Sequence, residues 1–400
     1  MGDGVGGRLG EDNAEDSSWV PLWHPTPILP SIRPSQVRQI SCGAYHTAIL
    51  EWDGSIHIFG VIGAEALAAQ RASVLISSSI WGTPSRPRVE YIPTHLGHEP
   101  VQISSGTNTL AWTDVRGRVF VQDSRGLLRV NGFGEDADLG HAIQVSCGDC
   151  HFAVVTASGE LYTWGGGGHG RLGHGDTLDR HVPTQVRVPG VLENEYERVR
   201  VVACEASYRH TAVVTSDGDL LLFGDGNHGQ LGQTTLSEHL RPVRCTVGVL
   251  ASTRVVQVAC GETFTAALTE IGQVIVLGSL ATQNAVARAQ HVAYRLTAGP
   301  RDCAAVQIAA GKTSLLMRLD NGVVETCGRG RCGQLGQGSS VTLAMHAGAP
   351  HVQPFSSFWY QLATGKEIRF AANLGHVFAR GIILVLNALG GHTLAAREDS

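Results

Sequence analysis

Apolar and polar positions along this chain fall into short alternating runs broken by turn residues. Long helical stripes do not occur. His46-Thr47-Ala48-Ile49-Leu50 and Glu160-Leu161-Tyr162-Thr163-Trp164 each have the length of one strand. Between such runs stand Trp52-Asp53-Gly54, Ser216-Asp217-Gly218 and Asp320-Asn321-Gly322. Asp-Gly and Asn-Gly are strong hairpin signals, because glycine accepts the backbone that a tight turn imposes. The pattern predicts antiparallel strands, and no helix of credible length is required anywhere.

The strands recur on a fixed ruler. With Gly43 as anchor, position +3 is His46, +11 is Gly54 and +17 is Gly60. The same offsets fit at Gly106, Gly148, Ser207, Gly261, Gly311 and Asn373, which makes seven copies. Position +11 is glycine in all but the last, which has Leu384, and +17 in all but the second, which has Asp123. Position −3 is apolar or nearly so, from Ile40 to Phe370, and +5 is alanine in five copies. These are structural repeats. Anchors stand roughly 40 to 65 residues apart, too far for a solenoid rung and suited to a propeller blade of about four strands.

The fold class expected is therefore all-β: a seven-bladed β-propeller of four-stranded antiparallel blades, one domain over residues 1–400. The seventh copy reaches Gly390 without a following G-R-L-G segment, and the residues after Met1 supply one. N- and C-terminal segments are thus expected to share one blade and close the ring, with residues 1–18 completing it. Residues 61–100 and 329–367 are longer inter-repeat segments, expected to hold blade strands and loop excursions.

The units SCGDCHFAVVTASGELYTWGGGGHGRLGHGDTLDRHVPTQV and ASYRHTAVVTSDGDLLLFGDGNHGQLG resemble the signature of the regulator of chromosome condensation repeat family. The resemblance extends over nearly the whole chain, with the second and seventh copies degenerate. It implies a propeller. The family includes guanine-nucleotide exchange factors for Ran-type small GTPases, adaptor domains attached to ubiquitin ligases, and other regulators.

Composition narrows the functions. Fifty glycines favour many tight turns, and 43% hydrophobic residues suffice for a large core. A net charge of −5 gives no sign of a nucleic-acid or anionic-membrane surface. No apolar run approaches the roughly 18 residues of a membrane span. The glycine-rich, acidic start has no secretory features, and nine cysteines then fit reduced thiols. An intracellular protein, cytoplasmic or nuclear and not secreted, is expected.

Three motifs imitate chemistry. Gly165, Gly167 and Gly170 satisfy G-x-G-x-x-G, but the pattern G-x-G-x-x-G-[RQ]-L-G occurs four times and opens no helix, so it reads as a turn. Cys147, Cys150 and His151 match the C-x-x-C-H of haem attachment, yet Cys147 and His151 occupy ruler positions shared with other copies. Gly311-Lys312-Thr313-Ser314 resembles the end of a P-loop, but Val306 stands where a glycine is needed. The +3 histidines have no nucleophile recurring beside them and read as imidazoles tying strand to loop. No catalytic residue, metal or cofactor is expected.

The residues just after each anchor vary while the framework holds, which suggests a recognition surface on a fixed scaffold. They include Tyr45, Asp149, Tyr208, Arg209, Glu262 and Lys312. The resemblance implies that an Asp and a His of these turns contact a GTPase in exchange-factor members, and Asp149 and His151 hold comparable places. It also implies a protruding hairpin, for which residues 123–128 are the candidate. Chromatin-binding members carry a basic tail, whereas this chain begins MGDGVGGRLGEDNAEDSS, so direct nucleic-acid binding is not expected. The function expected is a non-enzymatic, monomeric regulatory scaffold that binds protein partners through loops on one propeller face. The alternative is a guanine-nucleotide exchange factor for a Ran-type small GTPase.

Overall fold

A computed structural model of the chain describes residues 36–60, 62, 90–92, 99–189, 199–233, 236–280, 294–296, 303–321, 324–328 and 335, with short strands beyond. Six four-stranded antiparallel sheets follow one another along it. The first comprises β1 (Val37–Cys42), β2 (His46–Glu51), β3 (Ile56–Gly60) and β4 (Glu90–Ile92). The second comprises β5 (Pro100–Ser105), β6 (Leu110–Asp114), β7 (Val119–Asp123) and β8 (Gly126–Val130). The third has β9 (Ala142–Cys147), β10 (His151–Thr156), β11 (Leu161–Gly165) and β12 (Arg180–Gln185). The fourth has β13 (Val201–Ala206), β14 (His210–Thr215), β15 (Leu220–Gly224) and β16 (His239–Arg244). The fifth has β17 (Val255–Cys260), β18 (Phe264–Thr269), β19 (Val274–Gly278) and β20 (Tyr294–Leu296).

The sixth sheet contains β21 (Ala305–Ala310), β22 (Ser314–Leu319) and β23 (Val324–Gly328). After a two-stranded pair, β24 (Met345–His346) and β25 (Ala349–Pro350), it is completed by β26 (Gln353–Pro354). The seventh repeat departs from the ruler. β27 (Ile368–Phe370) pairs parallel to β28 (Ile382–Val385), and β29 (Leu394–Ala395) adds a third strand. Leu384 stands where the other copies have the turn glycine, and it lies inside β28, so no hairpin forms there. β28 lies against β1, and β27 lies beside β22. Residues 1–18, Asn373 and Gly390 lie outside the described residues.

The core lies between sheets. One cluster packs Trp112 and Phe120 of the second sheet against Ile56 and Ile58 of the first, with the two rings stacked 5.6 Å apart. Another packs Phe133 against Tyr162 and Trp164 of the third sheet. Each such ring contributes about 1.5–3 kcal/mol by leaving water. Among the described residues, each of these clusters is shared by two neighbouring sheets.

Glutamines four residues before the anchor stitch the innermost strands together. Gln39 donates to the Ile103 carbonyl and accepts from its amide, both at 2.9 Å. Gln102 makes the same pair with Val145, Gln144 with Cys204, and Gln257 with Ile308. The fourth sheet has Ala203 at this position. Serines two before the anchor add a second stitch: Ser41, Ser104 and Ser146 each accept the amide of the final residue of the next innermost strand.

Candidate interaction site at the axis

Each innermost strand turns into the second through a repeated four-residue loop. The anchor amide donates to the +3 carbonyl at 2.7–3.0 Å, from Gly43 to His46 through Gly311 to Ser314. The +1 amide then reaches the adjacent loop: Ala44 donates to Gly106, Asp149 to Ser207 and Glu262 to Lys312. A Cβ on Gly148 would strike the Ser207 carbonyl and the His151 ring, which explains the glycine. Ser207 is the exception, and its hydroxyl donates to the Gly261 carbonyl that would otherwise crowd it.

The +17 glycine fixes the other side of the loop. Gly224 has φ +110°, and a Cβ there would strike the Arg209 carbonyl and the His210 backbone. This lets the Asp225 amide donate to Arg209 at 2.9 Å, as Gly166 does to Cys150 and Ser279 to Thr263. Arg171, from the third sheet's G-R-L-G segment, donates to the Tyr208 carbonyl at 2.8 Å. The variable turns are thus held by a repeated framework.

Their side chains converge on Tyr208. Lys312 of the sixth sheet stands 4.7 Å above the Tyr208 ring and 3.6 Å from Glu262 of the fifth. Thr107 of the second donates to Asp149 of the third at 2.5 Å and also shares a hydrogen bond with the Tyr208 hydroxyl. Burial first, then Asp149, Glu262 and Tyr45, push the Tyr208 phenol well above its ordinary range. Lys312 and Thr107 thus reach Tyr208 from two other sheets, and each holds an acid of a further sheet, Glu262 and Asp149 respectively, beside it. Arg209 is exposed, while Tyr45, Asp149, Tyr208, Glu262 and Lys312 are half-buried.

His151 does not join them at the surface. It is 1% exposed, in a layer beneath the mouth with His46 and His210. The expectation of strand-to-loop ties needs correction, because two of these imidazoles tie blade to blade. His151 Nε2 bonds Thr211 Oγ1 and His210 Nε2 bonds Thr265 Oγ1, each at 2.9 Å. The two threonine hydroxyls already donate to the Arg171 and Gln230 carbonyls, so each imidazole must donate from Nε2. Desolvation lowers all three histidines: His46 to about 3, His210 to about 4, and His151 well below its usual value. Such rings stay neutral and out of reach of a substrate.

The decoy motifs resolve into framework. Cys147 is buried with its thiol pushed up to about 12, whereas Cys150 is exposed. Residues 123–128 form a tight hairpin whose second arm is β8, the outermost strand of the second sheet, instead of a protrusion. Asp123, at the +17 position, pairs with Gly126 directly across the two-residue turn.

Models of the regulator of chromosome condensation (RCC1) repeat match residues 142–171, 158–214 and 217–268. The ultraviolet-B receptor UVR8 of Arabidopsis thaliana is 30% identical over 358 residues, covering 85% of this chain and 74% of that protein. The chain belongs to the RCC1 repeat family. The human E3 ubiquitin-protein ligase HERC2 is 29% identical over 299 residues, covering 73% of this chain but 6% of HERC2. Among solved structures, Prp20p of Saccharomyces cerevisiae, described with its binding to Gsp1p and histones, superimposes with a TM-score of 0.65 at 17% identity. That likeness covers 90% of this chain and 86% of Prp20p, and it speaks for the RCC1 fold. An RCC1 propeller is a protein-interaction or regulatory module. Among the described residues, no helix is long and apolar enough to cross a membrane.

Proposed function

We propose that this RCC1-repeat chain is a non-enzymatic scaffold that binds a protein partner at the axial mouth. The observation that carries this reading is the convergence of variable side chains from five sheets, the second to the sixth, around Tyr208 on an otherwise repetitive frame. A rigid tyrosine flanked by acids, with Lys312 and Arg209 beside it, has the composition of a binding hot spot. Asp149, Glu262, Arg209 and Lys312 supply both signs of charge for orientation. We also infer a ring of seven blades closed by residues 1–18, with the 368–395 strands filling the gap between the sixth and first sheets. Their position beside β22 and β1 supports that reading.

Nucleotide exchange on a Ran-type GTPase is the second reading, favoured by the likeness to a protein described as binding Gsp1p. Exchange would proceed by preferential binding of the nucleotide-free GTPase, with no bond made or broken. Release of labelled GDP from a Ran-type GTPase separates the two. An exchange factor accelerates release, and Asp149→Ala or Arg209→Ala weakens the effect about tenfold or more. No acceleration, with partner capture from native cells still lost on Arg209→Ala, leaves the scaffold. Capture unaffected by either substitution removes the axial mouth from both readings.

A further inference from the structure

Outer strands of a propeller are sheet edges, and an unguarded edge is a template for another strand. β12 and β16 carry guards: Pro183 and Pro242 lie within them, and both ladders slip in register against the strand inside. β8 has neither. It reads Gly126-Leu127-Leu128-Arg129-Val130, without proline, and pairs with β7 through five consecutive residues without a shift. Leu127 and Leu128, which point to opposite faces, are each 40% exposed, so β8 stands clear on both sides. Every second amide and carbonyl of β8 faces away from β7. Among the described residues, no other strand takes them up.

A cleft of about 320 Å³ opens beside this strand, on the face opposite the axial mouth. Arg116, Arg118 and Arg129 line one part of it, and the turn containing Gly134, Glu135 and Asp136 lines the rest. Arg118 is already neutralised by Asp114 at 2.5 Å. Arg116 and Arg129 pair with no carboxylate among the described residues, since Glu135 and Asp136 lie beyond ion-pair reach. Arg125, at the hairpin tip, is matched by Asp123 at 2.6 Å. Two uncommitted guanidiniums thus flank an open strand edge. An arginine fork of this kind binds a carboxylate through two parallel hydrogen bonds.

We propose that β8 is a receptor strand: an extended acidic peptide segment of a partner protein adds to it as a fifth strand of the second blade. Main-chain hydrogen bonds to β8 supply the affinity, and an Asp or Glu side chain reaching Arg129 and Arg116 supplies selectivity. The surface is separate from the axial mouth, so the chain can hold one partner at the axis and a second segment at its rim.

The test uses the full chain and a random-peptide phage library, first depleted on the variant L127P/R116E/R129E. Leu127→Pro introduces the guard that β12 and β16 already have, and all three sites are at the surface. A second variant, R116E/R129E alone, keeps the edge open, and thermal unfolding checks that both variants remain folded. Peptides recovered on the wild-type chain are expected to be acidic and free of proline. They should lose about tenfold or more in affinity on R116E/R129E, and should slow hydrogen exchange at the amides of residues 126–130. Recovery of peptides with no acidic excess, protection elsewhere on the chain, or no enrichment at all would overturn the proposal.

Discussion

At the scale of single residues, the buried histidine layer shows how one position is read against its neighbour in the next blade. The +3 residue of each copy meets the +4 residue of the following one. His151 finds Thr211 and His210 finds Thr265, whereas Phe264 is followed by the apolar Leu315. His46 is the mismatch: Leu110 follows it, and among the described residues neither of its buried ring nitrogens has a partner. Leaving such groups unpaired costs about 1–3 kcal/mol, and an apolar ring of similar shape removes that cost. His46→Phe is therefore expected to raise the thermal midpoint, while His210→Phe, which breaks a good hydrogen bond, lowers it. The pH dependence has the same origin. His46 titrates at about 3 when folded, so the unfolded chain binds the extra proton as pH falls below about 6.5. Stability contributed by the neutral ring is full above that pH and declines toward pH 3 by up to about 1.4 kcal/mol per unit. His46→Phe should flatten this part of a stability-against-pH curve; an unchanged slope would assign it elsewhere.

At the scale of elements, the glutamine stitch carries blade-to-blade cohesion. Gln144 satisfies both the amide and the carbonyl of Cys204 inside the inner ring. Gln144→Met keeps the shape and removes both bonds, leaving two buried backbone groups unpaired. A loss of about 2–4 kcal/mol in denaturant unfolding is expected. The strand order, the turns and the anchor spacing were legible in the sequence because each rests on a local demand: a glycine at a turn, an alternation along a strand. The stitch was equally periodic, with glutamine four before the anchor at Gln39, Gln102, Gln144, Gln257 and Gln307. A polar residue in an apolar strand carries no local signal of purpose, and its partner lies in another repeat. The parallel pairing of β27 with β28 was not legible either, because Leu384 removes the turn that the offset would otherwise mark.

At the scale of the whole molecule, repetition builds the frame and irregularity builds the surface. The ruler identified which turn positions vary, and among them Lys312 meets Tyr208 and Glu262, while Thr107 holds Asp149. What it did not reveal is the hierarchy among them. Tyr208 and Lys312 belong to the fourth and sixth sheets, and only curvature about an axis brings them to 4.7 Å. His151 shares the loop but faces inward, since a side chain three residues past the anchor has already entered β10. The central claim is that partners engage this axial mouth. It is tested most directly by placing a photo-crosslinking amino acid at Arg209, exposed in the mouth, or at Val182, 66% exposed on outer strand β12. Protein partners captured in native cells from position 209 and not from 182 are the expected result. Capture from 182 with none from 209 would contradict it.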